Sequence, residues 1–260
     1  MDFSVVVPVF NSENTIEFMV KRLSNFFLEH GMAYELILVD DCSSDQSWRV
    51  IESISKENER VKGIRLSSNQ GQQMAIYLGL HYCIGEYVLT IDDDGQHDIE
   101  DLLKFIPLIA QSYDLIFGIY KSYNDPSYRK KGSGCIARFF KWRFKNLKGL
   151  RVSSFRVVKK SLYRQILNGD KKFVYISAEL LPYAQKVGNV DVTRHLRLQG
   201  KSGYDLSKLI KLGLNLHLYY GIPHLFNKIN RGKAYHEAIV NGWCGELPNQ
   251  RHPQNEGYGL

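Results

Sequence analysis

The apolar run Tyr87-Val88-Leu89-Thr90-Ile91 leads straight into Asp92-Asp93-Asp94. A short apolar run of this kind reads as a strand covered on both faces, and such strands belong to parallel sheets flanked by helices. Its acidic end puts several negative charges where the sheet meets solvent. Crowded carboxylates repel one another, and a divalent cation relieves the repulsion. Open α/β sheets also take their ligands at the carboxyl ends of strands. The stretch therefore predicts a metal ion and the diphosphate it clamps. Side chains alternate along a strand, so Asp92 and Asp94 are expected to face the ion while Asp93 points away. The plainer alternative is a capping cluster for a helix near Asp98, but a cap needs one carboxylate and not three.

The rest of the first half repeats the theme. Strand-like runs fall at Phe3–Val9, Tyr34–Val39, Val61–Leu66 and Leu115–Ile119, besides Tyr87–Ile91. Helical patterns lie between them near Glu13–Glu29, Asp45–Glu59, Gly71–Cys83 and Asp98–Gln111. This alternation predicts an α/β fold, a mainly parallel doubly wound sheet with helices on both faces. The second half is less regular. A helix rich in cations and aromatics is expected at Ser127–Leu147, a strand at Ser154–Val158, a helix at Ile176–Lys186 and a strand at Val190–Leu196. An amphipathic helix follows at Leu206–Tyr220, and Asn249–Leu260 reads as a frayed tail. The expected division is a main domain over 1–205, which the resemblance described below makes the catalytic one, then an amphipathic helix and polar tail over 206–260.

Three strands then end in polar groups on one edge. Val7-Pro8-Val9-Phe10-Asn11 closes the first, Val39-Asp40-Asp41-Cys42-Ser43 the second, and the triple aspartate the fourth. Acids at strand ends accept from ribose hydroxyls or a base N–H. Taken alone, Asp40 and Asp41 would be turn and cap residues; beside a second acidic end they point to a nucleotide. Ser68-Asn69-Gln70-Gly71 joins the third strand to its helix, where a glycine permits close approach of backbone to a nucleotide. An ordinary turn explains that loop equally well.

Net charge is +7, and it is unevenly spread. The stretch 129–172 holds 15 of the 34 bases and one of the 27 acids, leaving 19 bases against 26 acids elsewhere. A one-signed block predicts an anionic partner: a phosphorylated substrate, membrane lipid or nucleic acid. Acidic strand ends beside the cleft argue against nucleic acid. Phe139, Phe140, Trp142 and Phe144 in the block suit core packing and a membrane interface about equally. No stretch spans a bilayer; the best, Ile210–Phe226, is broken by Lys211, Asn215, His217, Pro223 and His224. No signal peptide is expected at the N-terminus, and four widely spaced cysteines predict a reducing, cytoplasmic setting.

In this order the motifs resemble the family-two glycosyltransferases, which have the GT-A nucleotide-diphospho-sugar transferase fold. Asp92-Asp93-Asp94-Gly95-Gln96 is similar to the Asp-x-Asp-x-Gln motif of the polyprenyl-phosphate branch, such as the dolichol-phosphate mannose synthases and undecaprenyl-phosphate aminoarabinose transferases. The likeness extends through Arg129-Lys130, Ser154-Phe155-Arg156 and Gly200-Lys201-Ser202, over roughly residues 3 to 215. It implies nucleotide contacts at Pro8, Val9, Asn11, Asp40 and Asp41, with Asn69, Gly71, Asp92 and Asp93 beside them. Metal and diphosphate would fall to Asp92, Asp94 and Gln96, and the metal would be Mg²⁺ or Mn²⁺. Arg129, Lys130, Arg156, Arg197, Lys201 and Ser202 would face the acceptor phosphate. Glu179 matches a glutamate of those synthases; without the resemblance it reads as a solvated helix acid. Asp92, Asp94, Arg129, Arg156 and Glu179 would then carry catalysis. Two departures stand out: Gln72 where the family often has a cation, and Gly203 where it has lysine.

The implied reaction is inverting, metal-dependent transfer of a sugar from a UDP- or GDP-linked donor to a polyprenyl phosphate, at the inner face of the membrane by peripheral contact. A sugar hydroxyl is the alternative acceptor, and Glu179 or Asp93 would then take its proton. A nucleotidyltransferase or a non-catalytic nucleotide-binding module on the same sheet is the rival class. Homo-oligomerisation stays open.

Overall fold

A computed structural model of the chain describes residues 1–120, 136–144, 147, 149–167, 171–195, 206–221 and 238–241. Eight strands form one sheet in the order β7-β5-β6-β4-β1-β2-β3-β8. They are β1 Phe3–Val9, β2 Tyr34–Asp40, β3 Val61–Leu66, β4 Tyr87–Thr90, β5 Leu115–Tyr120, β6 Arg156–Lys159, β7 Val187–Val192 and β8 Ala238–Asn241. β1 to β4 run parallel, β5 and β7 run parallel to each other, and β6 lies antiparallel between β4 and β5. β8 pairs antiparallel with β3 at the far edge. The α/β, mainly parallel expectation holds.

β1 and β2 are buried along their whole length because both faces of the sheet are covered there. Val5, Val7, Leu36 and Leu38 pack with α1 (Ile16–Glu29), which buries Leu23, Phe26 and Phe27. Val6, Ile37 and Val39 turn the other way onto α3 (Gln72–Leu80). Gly79 lets α3 sit close: a Cβ there would fall 2.6 Å from Val6 Cγ1. Residues 136–143 form the helix α5 and add Phe139 and Phe140 to this second core, with Phe144 just beyond. Core packing thus accounts for three of the four aromatics of the basic block. Trp142 is 58% exposed.

Several boundaries differ from the sequence expectation. The helix expected over Asp98–Gln111 is a 3₁₀ helix, Ile99–Lys104, followed by α4, Ile106–Ala110. Pro107 has no N–H for a continuing helix and sits in the first turn of a new one. α2 (Ser47–Glu57) is two residues shorter at each end than the pattern implies. α6 (Lys160–Ile166) has no counterpart in the sequence reading, α7 (Ile176–Leu180) is half the expected length, and β7 begins three residues early. α8, Leu206–Tyr220, matches its expected span. It buries Leu216 and Tyr220 in the second core. Among the described residues no helix is long and apolar enough to cross a membrane.

Candidate active site

Because β1, β2 and β4 are parallel neighbours, their carboxyl ends open on one edge. The turns there are tied together. Asn11 takes φ +52° and Cys42 φ +59°, a left-handed region that non-glycine residues enter at some cost. Asn11 N–H donates to Ser43 Oγ at 3.0 Å, and Asn11 Oδ1 accepts from Ser44 N at 2.9 Å. Pro8 and Val9 are buried within β1, whereas Asn11 is exposed.

Asp40 and Asp41 divide the work. Asp40 is fully buried; its Oδ1 accepts from Ser43 N at 3.1 Å. Its Oδ2 lies 3.4 Å from Arg65 Nε and receives no hydrogen bond. Asp41 reaches across to the loop after β3. Its two carboxylate oxygens accept from Gln70 N at 2.6 Å and Gly71 N at 2.8 Å. Burial nevertheless raises the Asp41 pKa above the ordinary carboxylate value. Asn69 Nδ2 donates to the Asp41 carbonyl, and Gly71 holds φ +87°, which suits a residue without a Cβ. The expected nucleotide loop is thus anchored by Asp41.

β4 stops at Thr90, so the three aspartates stand in the turn beyond the strand. Asp92 Oδ1 accepts from Gln72 Nε2 at 2.5 Å, and its Oδ2 from Ser154 Oγ at 3.0 Å. His97 Nε2 lies 3.6 Å from the same Oδ2. Burial works against ionisation of Asp92, but His97, Ser154 and Arg156 outweigh it and hold its pKa low. Asp93 turns to β1, where Phe10 N and Ser12 Oγ donate to its Oδ2. Burial, with Asp92 and Asp94 adding repulsion, pushes Asp93 up to about 6. Asp94 Oδ1 accepts from Gln96 N at 3.0 Å. Gln96 is buried, and its amide spans Arg194 Nη2 at 3.1 Å and the His195 carbonyl at 3.3 Å.

Arg156 stands opposite Thr90 on β6 and is 1% exposed. Its Nε donates to Thr90 Oγ1 and the Ser154 carbonyl, and its Nη1 to Ser177 Oγ at 2.8 Å. Burial lowers its pKa to about 10. Glu179 is 5% exposed, which corrects its reading as a solvated acid. Its Oε2 pairs with Lys171 Nζ and its Oε1 accepts from Tyr220 OH at 2.7 Å. Arg129, Lys130, Arg197, Lys201 and Ser202 lie outside the described residues. Local pattern assigns no role to Ser12, Gln72, Ser154 or His97, although each stands in or beside a quoted motif.

Among the described residues, no group of three or more His, Cys, Asp or Glu side chains is spaced to hold a metal. Asp92 and Asp94 offer oxygen donors only. Mg²⁺-type sites in phosphate chemistry use one or two carboxylates and leave the other positions to water and phosphate. The donor set fits an ion that arrives with its diphosphate.

Similarity to known proteins agrees with this geometry. Two relatives are undecaprenyl-phosphate 4-deoxy-4-formamido-L-arabinose transferases. That of Edwardsiella ictaluri (strain 93-146) is 28% identical over 218 residues, covering 82% of this chain and 66% of its own. That of Klebsiella pneumoniae (strain 342) is 27% identical over 214 residues, covering 82% and 65%. The chain thus spans just under two thirds of the length of these relatives. Among solved structures, glucosyl-3-phosphoglycerate synthase from Mycobacterium tuberculosis, in complex with Mn²⁺, UDP and phosphoglyceric acid, superposes with a TM-score of 0.60 at 17% identity. The overlap covers 83% of this chain and 75% of that one. S. aureus TarS 1-349 in complex with UDP-GlcNAc gives 0.56 at 19%, covering 85% and 68%. These likenesses place the fold among the GT-A glycosyltransferases. The glycosyl transferase family 2 model matches residues 4–168, and the chain belongs to that family.

Proposed function

We propose that this glycosyltransferase moves a sugar from a nucleoside-diphosphate donor to a polyprenyl phosphate, inverting the anomeric centre in a single displacement. The observation that carries the acceptor choice is the state of the two carboxylates able to act as a base. Glu179 is tied to Lys171 and Tyr220, and Asp93 to Ser12 and Phe10. A hydroxyl acceptor needs one of them to take a proton, whereas a phosphate acceptor is already an anion. The names of the relatives point the same way.

In this reading Asp40 accepts from the nucleobase once the Arg65 side chain swings aside, and the loop held by Asp41 lines the nucleotide. Asp92 and Asp94 hold the Mg²⁺ or Mn²⁺, which when bound offsets charge on the departing diphosphate. Gln72 and Ser154 fix the Asp92 carboxylate. Arg156 gives the site a buried positive charge close to Asp92 and draws the acceptor anion.

The same reading docks the chain peripherally on an anionic bilayer through α5 and α8. Trp142, Leu214 and Leu218 are 58%, 67% and 47% exposed, and Trp142 stacks on His217. Arg138, Lys141 and Lys211 are exposed on the same two helices. Apolar side chains flanked by cations match the interface of anionic lipids.

The deciding experiment incubates the chain with a panel of nucleotide sugars and Mn²⁺, with and without undecaprenyl phosphate. Release of nucleoside diphosphate with a lipid-linked sugar, only when the lipid is present, is expected. Transfer to a glycan hydroxyl instead, or release of pyrophosphate, overturns the reading.

A further inference from the structure

His97, which helps hold the Asp92 pKa low, is itself held from several sides. It is 4% exposed. Its ring stacks on Phe155 at 4.4 Å and on Tyr120 at 5.5 Å, which fixes the plane and leaves only the ring edge to interact. The shorter of the two contacts made by Tyr120 OH is with Nδ1, at 2.6 Å. That contact turns the Nδ1 edge of the ring toward the Tyr120 hydroxyl. Nε2 is the ring nitrogen 3.6 Å from Asp92 Oδ2. Such contacts are commonly long before ligands bind and shorten in the complex.

The backbone of His97 belongs to a second connection. His97 bridges antiparallel to Arg194, just past β7. Next to it, the Gln96 carbonyl accepts from His195 N at 2.8 Å. The Arg194 guanidinium lies 5.2 Å over the Tyr120 ring. Asp98 Oδ2 is 3.1 Å from His195 Nε2, and Asp101 accepts from Thr193 N. Residues 193–195 are thereby fastened to the turn that carries the aspartates.

We propose that His97 is a positioning residue, which aims the Asp92 carboxylate through Nε2 and couples it to the 193–195 segment through Tyr120 and the bridge to Arg194. The proposal rests on the sugar-transfer reading for its effect on rate, but not for the coupling itself. A residue that orients a ligand-binding carboxylate in this way is worth about 10- to 100-fold in activity or metal affinity.

The test separates the ring from its proton, using the full chain. His97→Phe keeps an aromatic ring between Tyr120 and Phe155 but has no N–H. His97→Gln loses the ring and keeps a donor. His97→Phe is expected to hold its melting temperature within a few degrees while kcat/KM for the nucleotide sugar falls about 10- to 100-fold and acceptor KM stays unchanged. His97→Gln is expected to melt earlier and recover most of the rate. Rates that simply follow melting temperature across the two variants overturn the proposal. Hydrogen exchange gives a readout independent of turnover: Tyr120→Phe should loosen 92–98 and 193–195 together. Exchange unchanged in either segment overturns the coupling. A wild-type chain that transfers no sugar refutes the functional reading, and hydrogen exchange still decides the coupling.

Discussion

Ser12 and Asp93 are bonded across 81 residues, with the Ser12 hydroxyl donating to Asp93 Oδ2 at 2.5 Å. Phe10 N donates to the same oxygen at 3.1 Å, and Thr15 Oγ1 donates to the Asp93 carbonyl at 3.0 Å. The middle aspartate thus braces the turn after β1 against the turn after β4. Asp92 and Asp94 bond elsewhere, to Gln72 and Ser154 and to Gln96 N.

That division predicts different phenotypes for adjacent residues. Asp93→Ala removes the acceptor for two donors and should lower unfolding free energy by about 1–3 kcal/mol. Asp93→Asn keeps one carbonyl oxygen and should lose less. Denaturant titration checks both, and an alanine variant as stable as the parent contradicts the bracing role.

Asp92→Ala and Asp94→Ala should act on chemistry instead. Each is expected to lower sugar transfer by about 10²-fold or more, the usual scale for losing a group that stabilises developing charge. Mn²⁺-dependent binding of nucleoside diphosphate, followed by calorimetry, should weaken in parallel. Metal affinity and transfer both unchanged would remove the basis of the metal assignment.

Glu179→Gln leaves the half-buried Lys171 without its counter-charge. Breaking one side of such a pair costs about 3–5 kcal/mol. The variant should melt well below the parent, yet turnover per folded molecule should stay within about tenfold, because loss of a general base would exceed 10²-fold. A large drop in turnover without a drop in stability would make Glu179 the base and the acceptor a hydroxyl.

Leu214→Ser and Leu218→Ser should weaken flotation with vesicles containing anionic lipid, by about tenfold for each side chain, while the melting temperature holds. Both leucines are exposed, so folding does not depend on them. Flotation that is absent in the parent, or unaffected by the substitutions, contradicts the docking surface.

Alkaline pH should destabilise the fold through Tyr163. Its hydroxyl donates to the carbonyls of Cys83 and Gly85, and burial, with Cys83 adding to it, pushes its pKa up to about 12. The folded form holds this proton more tightly than the unfolded chain. Stability from this group is therefore intact below about pH 10 and is lost as pH rises toward 12, at up to about 1.4 kcal/mol per unit. Denaturant midpoints at pH 9 and 11 measure the loss, and Tyr163→Phe should make it smaller, Tyr120 and Tyr220 being raised by burial as well.

The sheet is largely legible in the sequence. β1 and β3 agree to the residue, and β2, β4 and β5 within one, because mostly apolar runs there are spaced by helical patterns. β7 is less visible: Gly188 looks like a turn residue, yet it lies in the strand so that Leu108 and Tyr113 can pack closely. β8 escapes notice because Ala238-Ile239-Val240 is a very short signal in polar surroundings. At the site, acids at strand ends are visible because they follow their strands directly. Their partners are not. Ser154 meets Asp92 only because β6 pairs antiparallel with β4, and Gln72 arrives from the helix after a different strand. Such pairings depend on strand order, which local pattern does not encode. Burial of Arg156 and Glu179 is equally hidden, since charged residues are seldom found inside.

The reversed direction of β6 has an architectural consequence. The chain leaves β5 at Tyr120 and enters β6 at Arg156 on one rim of the sheet, with no return helix required between them. Tyr120 and Arg156, the two roots of that connection, both stand close enough to Asp92 to feel its charge. The reversed strand therefore delivers its leading residues to the acids, as Ser154 shows by bonding Asp92 at 3.0 Å.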